Sequence, residues 1–288
     1  MRNGFAVFIL SHGRPDSAYT YETLIDQRYT GKVYFIVDDT DKTLGEYREH
    51  FGEMVLTFSK SEIKEKTDTG DNFKEMNIVL YARNACWEIA RQLGLKYFLV
   101  LDDDYIDFRY KFDNLSRYIS SLKIIYNLDS VFTSMVMALI ETKFDCIAMA
   151  QNGDYIGGAD NGFEHSQGRR RKIMNTFFCV TKKPFKFFGR INEDVNAYVF
   201  WGRSGKRFLT VPQLAVQQKQ TQSNPGGLTD SYLTLGTYVK SFYSVMYAPS
   251  CVHVKLMQSN HPRIHHQVKW NCAVPKILRE EHRKQRHE

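Results

Sequence analysis

Several classes of protein are excluded by what this sequence lacks. It has five scattered cysteines and no C-x-x-C pair, so neither a disulfide framework nor a cysteine zinc site is predicted. No apolar run approaches the roughly 20 residues that a membrane-spanning helix needs. The N-terminus shows no signal peptide, because its short apolar run is followed at once by polar residues. We therefore expect a cytoplasmic protein without a membrane partner.

Length and charge narrow the possibilities further. The 288 residues suit one large α/β domain that buries a sizeable core. Lys and Arg number 39 against 32 Asp and Glu, which gives a formal net charge of +7. This excess favours a polyanionic partner such as nucleic acid, although charge alone does not determine a fold.

Uninterrupted apolar runs predict an α/β fold with a mostly parallel central sheet flanked by helices, because such runs are typical of strands buried on both faces. The predicted strands are Phe5–Leu10, Lys32–Val37, Tyr97–Leu101, Asp145–Ala150 and Asn175–Val180. The predicted helices cover 19–27, 76–93, about 129–142 with Asp129 or Ser130 as N-cap, and 195–201. The glutamine-rich stretch 213–230 ends in 224–229, which is predicted to be a loop because Pro-Gly-Gly cannot continue a helix or strand, and 108–128 shows no clear pattern.

Three carboxylates, Asp102, Asp103 and Asp104, follow directly on the strand at 97–101. Ligands of parallel sheets bind beyond the carboxyl ends of the strands, which is where this triplet falls. Asp102 and Asp104 alternate and can approach one Mg²⁺- or Mn²⁺-type ion, while Asp103 either points elsewhere or contacts a ligand hydroxyl. Adjacent carboxylates repel each other unless a cation sits there. The alternative is a solvated acidic turn.

Other candidate ligands also follow strands. Ser11 and Arg14 come after the first strand, where the arginine suits a phosphate or an acidic ligand. Asp38 follows the second strand. In nucleotide-binding sheets, an acidic residue at this position accepts a hydrogen bond from a ribose or base. Arg83 lies in the helix before the acidic strand and either reaches a phosphate, pairs with the aspartates or lies on the surface. The glycine-bearing loop 151–158 has no phosphate-loop lysine, so a P-loop is excluded.

A second pair of carboxylates, Glu193 and Asp194, opens the helix at 195–201. Acidic residues at this end of a helix are favoured by its dipole, so a simple cap is one interpretation. The other is a general base that acts on an acceptor hydroxyl in sugar transfer. Later in the chain, His265 and His266 stand in tandem, and on a strand they are expected to point to opposite sides. At most one of them would then join the aspartates as a metal ligand.

Two basic segments complete the candidate site residues. The run Arg169, Arg170, Arg171 and Lys172 lies between predicted strands, and 276–288 reads as a basic amphipathic helix. Both are compatible with a solvated surface or with contact to a nucleic-acid backbone.

Taken together, these motifs resemble the TET-associated glycosyltransferases, a phage-linked family with a GT-A-like fold that glycosylates hydroxymethylated bases in DNA. Eight segments carry the resemblance, in order along nearly the whole chain. They are Ser11–Pro15, Tyr81–Asn84, Leu101–Asp104, Ala150–Gly158, Arg190–Asn196, Gly226–Thr229, Gly236–Tyr243 and Arg263–His266.

The resemblance implies a UDP-sugar donor, Mn²⁺ or Mg²⁺, and double-stranded DNA with 5-hydroxymethylcytosine or another hydroxymethylpyrimidine as acceptor. It implies one GT-A-like domain over 1–288, with a donor half (1–105), an acceptor and catalytic half (106–275) and the basic segment 276–288. The implied site residues are Ser11, Arg14, Asp38, Arg83 and Asp103 for the donor, Asp102 and Asp104 with His265 or His266 for the metal, and Asp194, with Glu193 as competitor, for the base of an inverting reaction.

Several alternatives stay open at this point. In a retaining reaction the same carboxylates would instead stabilise an oxocarbenium-like centre. The acceptor of a transferase with this fold could be a protein, lipid or polysaccharide. A DNA-binding module without turnover and a metal-dependent phosphoryl-transfer enzyme are the rivals from other classes. Glucose and arabinose both remain candidate sugars, since a pocket distinguishes them through a few contacts.

The basic run gives a first testable prediction. Neutralising Arg169, Arg170 and Arg171 together should weaken binding to duplex DNA and flatten its dependence on salt, because fewer counterions are released. Fluorescence anisotropy over a series of salt concentrations measures both quantities. If the dependence of binding on salt is unchanged, these residues do not contact the DNA.

Overall fold

Four apolar runs of the first half of the chain form one parallel layer of strands. The computed structural model describes residues 4–73, 77–115, 117–152, 170, 172–219, 239–257 and 263–276. Its first four strands are β1 (Phe5–Leu10), β2 (Val33–Asp38), β3 (Val55–Phe58) and β4 (Tyr97–Asp102), and they lie in the order β3-β2-β1-β4. Side chains on both faces of β1 and β4 are buried, which explains why these strands are apolar throughout.

The chain after β4 extends this layer to a sheet of nine strands, in the order β3-β2-β1-β4-β8-β7-β9-β5-β6. The added strands are β5 (Tyr105–Phe112), β6 (Tyr118–Ile124), β7 (Cys146–Gln151), β8 (Phe177–Val180) and β9 (Phe208–Gln218). Only β5 and β8 run against the other seven. A separate hairpin consists of β10 (Val252–Met257) and β11 (Arg263–Val268).

Helices cover both faces of the sheet and enclose two hydrophobic cores. One core lies between the sheet and α4, and the other lies between the sheet and α1 and α5. The helices are α1 (Tyr19–Asp26), α2 (Leu44–Phe51), α3 (Lys60–Glu65), α4 (Val79–Gln92), α5 (Leu128–Thr142), α6 (Glu193–Arg203), α7 (Lys240–Tyr247) and α8 (Trp270–Ala273). This architecture confirms the predicted α/β class with a mostly parallel central sheet. No helix among the described residues is long and apolar enough to cross a membrane.

The sequence did not predict the strand β9, and the predicted loop at 224–229 lies outside the described residues. Residues 208–218 form β9, which pairs with β7 on one side and with β5 on the other. Glutamine is a weak strand former, but two long-range partners outweigh a local preference. Likewise, the unclear stretch 108–128 contains most of β5 and all of β6.

The N-cap of α5 was also predicted wrongly. Asn127, rather than Asp129 or Ser130, caps the helix, because its side-chain oxygen accepts from the Ser130 amide at 3.1 Å. Asp129 instead accepts from the backbone amide and the hydroxyl of Thr30, at 2.9 and 2.6 Å. A contact between residues so distant in sequence gives no local signal.

The contact between α6 and α8 gives a prediction about stability. A Cβ atom added at Gly202 would lie 2.1 Å from the carbonyl oxygen of Ala273, so Gly202→Ala should lower the free energy of unfolding by about 1–3 kcal/mol. Gly45 in α2 is the matched control, since a Cβ there meets nothing within 4 Å. Gly45→Ala should be neutral or should stabilise by up to about 1 kcal/mol. Urea unfolding measures both, and equal stabilities would contradict the packing argument.

Candidate active site

The aspartate triplet lies on a turn whose backbone is fixed by α1. Asp102 is the last residue of β4, Asp103 and Asp104 form the turn, and Tyr105 begins β5. The Thr20 amide donates to the carbonyl of Asp103 at 3.1 Å, and the Thr20 hydroxyl donates to that of Asp102 at 2.6 Å. The same hydroxyl accepts from the amide of Tyr105 at 2.9 Å. The position of the carboxylates is therefore set by the start of α1 as well as by the sheet.

Asp103 points into the protein, towards the segment that follows β1. The Ser11 hydroxyl donates to it at 2.5 Å and the Arg14 guanidinium at 2.8 Å. Ser11 also shares a 2.5 Å hydrogen bond with the hydroxyl of Tyr47. Burial raises the pKa of Asp103 to about 6, although Arg14 and Ser11 act in the opposite direction. The structure thus brings together three of the predicted donor-binding residues, here bonded to one another.

Asp104 lies on the outer side of the turn. Burial, followed by the charges of Asp102 and Asp103, raises its pKa to about 7. Crowded carboxylates of this kind fit a hard divalent cation, which prefers oxygen ligands and would relieve their mutual repulsion. The chemistry of the triplet is therefore compatible with Mn²⁺ or Mg²⁺.

Arg83 links the triplet to the second pair of carboxylates. Its guanidinium, 4% exposed, forms a short ion pair with Glu193 and lies 3.2 Å from both carboxylate oxygens of Asp102. The aromatic rings of Phe177 and Phe187 flank it, with centroids 5.0 and 5.6 Å from Cζ. The nearby carboxylates hold the pKa of Arg83 above its ordinary value despite burial, so the guanidinium stays charged. Of the three alternatives for Arg83, the structure shows the pairing with the aspartates.

Glu193 and Asp194 occupy the first turn of α6, and their environments differ. Both are buried, and burial raises the pKa of each, that of Glu193 to about 7. Glu193 is held by Arg83, whereas Asp194 accepts from the amide of Val195 at 2.7 Å and has no ion pair within the part of the chain that the structure describes. Asp194, which is not held in an ion pair with any described residue, is therefore better placed than Glu193 to accept a proton.

The residue before α6 ties this site to the C-terminal elements. Asn192 adopts a left-handed backbone, with φ of 56°. Its side-chain amide lies 2.7 Å from the carbonyl of Lys240 and 3.3 Å from Oγ of Ser244, both on α7. The same amide lies 3.3 Å from Nδ1 of His266 on β11. Sequence reasoning missed Asn192, although it directly precedes Glu193 and stands in the quoted segment Arg190–Asn196.

His266 is the histidine that contacts the start of α6. Burial lowers its pKa to about 4, and the neighbouring His265, Lys240 and Lys172 act in the same direction. The ring is therefore neutral at pH 7, the form in which histidine binds a metal. The prediction that the two rings point to opposite sides was wrong, since their centroids lie 4.3 Å apart.

A different cluster brings potential metal ligands closest together. In the described residues, the ligand atoms of His12, Asp38 and Asp41 all lie within 4.8 Å of one another, a criterion that the predicted set of Asp102, Asp104 and a histidine does not meet. That predicted set remains a prediction.

Hydrogen bonds already occupy this second cluster, which we call the His12 cluster (His12, Asp38 and Asp41). His12 lies 2.8 Å from Asp38 and 3.2 Å from Asp41, and Lys60 supplies a positive charge 3.3 Å from Asp38. Burial acts to raise the pKa of Asp38, but hydrogen bonds from His12 and Thr40 hold it well below its usual range. Lys60 therefore offsets one of the two negative charges, and the ligand atoms of the cluster are already engaged with one another. Sequence reasoning found Asp38 alone, although His12 stands in the quoted segment after β1.

The basic run is only partly described. Arg170 is exposed, Lys172 is half-buried, and its carbonyl accepts from the Thr210 hydroxyl at 2.9 Å. Arg169 and Arg171 lie outside the described residues, as does most of the segment 276–288. Contact of these residues with DNA remains a prediction.

Removal of Arg83 should destabilise the fold strongly. Arg83→Leu leaves Asp102 and Glu193 without their cation, and breaking a buried pair in this way costs about 3–5 kcal/mol. Arg91→Ala, at an exposed position of the same helix, should change stability by less than about 0.5 kcal/mol. Chemical unfolding measures both, and a loss below about 1 kcal/mol for Arg83→Leu would contradict the bridging role.

The same variant should acquire a distinctive pH dependence. In the native protein the pKa of Glu193 is already raised from 4.5 to about 7, and loss of Arg83 raises it further. A carboxyl whose pKa is higher in the folded than in the unfolded state binds more protons when folded, so stability falls as pH rises between the two values. We therefore expect the native protein to lose stability between pH 4.5 and about 7, and Arg83→Leu to go on losing it above pH 7, where the contribution of Glu193 in the native protein levels off.

The family model of the TET-associated glycosyltransferases matches residues 5–227. No curated protein matches the sequence. Among solved structures, glucosyl-3-phosphoglycerate synthase from Mycobacterium tuberculosis with Mg²⁺ and UDP is 10% identical, with 92% of this chain and 87% of that chain covered and a TM-score of 0.45.

A second similar structure, S. aureus TarS 1-349, is 14% identical, with 74% of this chain and 59% of that chain covered and a TM-score of 0.39. Because the family model covers well over half of the 288 residues, it shows the family directly. The chain belongs to the TET-associated glycosyltransferases.

Proposed function

We propose that this glycosyltransferase moves a sugar of the glucose or arabinose class from a UDP-sugar to 5-hydroxymethylcytosine, or to another hydroxymethylpyrimidine, in double-stranded phage DNA. The family supports the reaction class and, through its name, a hydroxymethylated acceptor. One observation supports the catalytic assignment: Arg83 pairs with both Asp102 and Glu193, so the start of α6 lies beside the aspartate triplet. In the host bacterial cytoplasm, such a modification would protect the DNA from nucleases.

The residues present fit a divalent cation at the triplet. Asp102 and Asp104, with His266 as nitrogen ligand, would hold Mn²⁺ or Mg²⁺. When bound, such an ion neutralises the charge that develops on a diphosphate leaving group. Pairing with Arg83 holds the carboxylate of Asp102 in position in the absence of the ion.

On the donor side, the residues after β1 and β2 suit a uridine diphosphate. Arg14 is one-third exposed and carries its charge beside Asp103, where a donor phosphate would lie. Asp38 stays ionised over the physiological range and suits a ribose or base donor group. Ser11 and Asp103, which are buried and bonded to each other, would position this edge of the site.

Asp194 is the proposed general base. The acceptor hydroxyl oxygen attacks C1 of the sugar, the bond from C1 to the phosphate oxygen breaks, UDP leaves with the electron pair, and the hydroxyl proton passes to Asp194. Its raised pKa suits this task, because a base is most effective when its pKa approaches the working pH. Glu193, held by Arg83, would position the start of α6. In a retaining reaction Asp194 would instead stabilise the positive charge that develops at C1.

The two acidic residues of α6 should respond differently to substitution. Asp194→Asn should lower kcat by roughly a hundredfold to ten-thousandfold, the usual range for loss of a general base, with the donor KM little changed. Glu193→Gln should lower kcat less and should destabilise the protein, because Arg83 loses its charged partner. Steady-state kinetics with thermal unfolding distinguishes the two. A larger loss of kcat for Glu193→Gln would exchange the assigned roles.

The reaction itself is tested by nucleoside mass spectrometry. Duplex DNA with 5-hydroxymethylcytosine is incubated with the protein, manganese and a panel of UDP-sugars, and an Asp102→Ala/Asp104→Ala variant serves as control. A hexose or pentose mass added only by the native protein is the expected result.

The other outcomes point to the rival functions. Release of UDP without a modified nucleoside would favour a protein, lipid or polysaccharide acceptor, and release of free phosphate would indicate phosphoryl transfer. DNA binding without any turnover would indicate a non-catalytic module.

A further inference from the structure

Three uncharged amide side chains lie next to the aspartate triplet. Gln151 ends β7, Gln218 ends β9, and Asn175 lies two residues before β8. Because β7 and β9 are parallel and β8 runs against β7, all three residues lie at one edge of the sheet. This is the edge at which β4 ends in Asp102. We call Gln151, Asn175 and Gln218 the amide cluster.

Several contacts join the amide cluster to the triplet. Gln218 is paired with Tyr105, the residue directly after Asp104. The Tyr105 hydroxyl donates to the carbonyl of Asn175 at 2.5 Å. The amide of Lys219, which follows Gln218, donates to the carbonyl of Asp104 at 3.1 Å. The cluster is thus held against the turn that carries the proposed metal ligands.

Hydrogen bonds fix the orientation of the three amides. Asn175 Nδ2 donates to Oε1 of Gln151 at 2.7 Å and, through a short contact, to Oε1 of Gln218. Asn175 Oδ1 and Gln218 Nε2 have no hydrogen bond to any other described residue. Gln218 is half-buried, so the cluster faces solvent on one side. Asn175 Oδ1, an acceptor, and Gln218 Nε2, a donor, are therefore available to a ligand beside the triplet.

The backbone of Asn175 supports a role beyond packing. Its φ of 66° lies in the left-handed region, which few residues other than glycine adopt. Asparagine tolerates this conformation better than most residues, and such conformations concentrate at ligand-binding sites. The conformation turns an 8% exposed amide towards both glutamines at the sheet edge.

The chemistry of the cluster identifies the ligand class. Hydroxyl groups both donate and accept hydrogen bonds, and carboxamides offer both functions without charge. A phosphate would require cations, which the cluster lacks. We propose that the amide cluster binds hydroxyl groups of the donor sugar and so determines which sugar is transferred. This inference rests on the proposed function, which places the UDP-sugar at the adjoining carboxylates.

The test compares the binding of UDP with that of UDP-sugars by isothermal titration calorimetry in the presence of manganese. For the native protein we expect one UDP-sugar of a glucose, galactose, xylose and arabinose panel to bind more tightly than UDP. In Gln218→Leu this advantage should fall about tenfold, the effect of one lost hydrogen bond to a buried group, while the affinity for UDP stays unchanged. Asn175→Gly removes the side-chain amide but keeps the left-handed backbone. It should reduce the advantage of the UDP-sugar in the same way and leave the affinity for UDP unchanged.

Gln213→Leu is the matched control, since Gln213 is an exposed glutamine of the same strand. It should preserve both affinities. If Gln218→Leu and Asn175→Gly keep the native advantage of the UDP-sugar, or if the native protein shows no such advantage, the inference is overturned.

Two further outcomes separate this inference from others. If the variants lose affinity for hydroxymethylated DNA and not for the donor, the cluster reads the acceptor base and the inference is equally overturned. If the native protein binds neither UDP nor any UDP-sugar, the proposed function itself fails.

Discussion

A single buried guanidinium, that of Arg83, connects the parts of this site. It reaches from α4 to Asp102 at the end of β4 and to Glu193 at the start of α6. Taking charges out of water is costly, and a buried pair repays this only when its geometry and hydrogen bonds are good. Here one cation balances two carboxylates that belong to different elements. The candidate metal ligands and the proposed base depend on this one contact for their relative position.

Burial shapes the rest of the electrostatics. The carboxylates of Asp103 and Asp104, like Glu193 and Asp194, have raised pKa values because each is withdrawn from water near other negative charges. Such a concentration of acid groups matches the chemistry of sugar transfer, in which a cation, a diphosphate and a proton acceptor meet in a small volume. The His12 cluster differs, because its Asp38 is paired with Lys60 and hydrogen-bonded to His12.

The sequence predicted those features that depend on local pattern. Apolar runs located β1, β2, β4, β7 and β8, and the position of the aspartates after β4 followed from the sheet rule. Features that depend on distant partners were not predictable. The strand β9 is rich in glutamine and is stabilised by its pairing with β5 and β7. Asp129 accepts a hydrogen bond from Thr30, and Asn127 caps α5 instead.

The candidate site shows the same division. Motif order and position identified Asp102, Asp104, Glu193 and Asp194, but their relation through Arg83 required the fold, because Arg83 and Glu193 are 110 residues apart. Two adjacent histidines on a strand were expected to diverge, and the ribbon brought them together instead. His12, Asp41 and Lys60 had no individual signal, since their contacts form only when β1, β2 and α3 pack.

Binding of Mn²⁺ alone, followed by electron paramagnetic resonance, tests the central claim most directly. The two candidate clusters predict opposite results for Asp104→Asn and His12→Ala. If the cation belongs to the aspartate triplet, Asp104→Asn weakens binding and His12→Ala leaves it unchanged. If His12→Ala abolishes binding while Asp104→Asn retains it, the metal lies in the His12 cluster and the proposed site is contradicted.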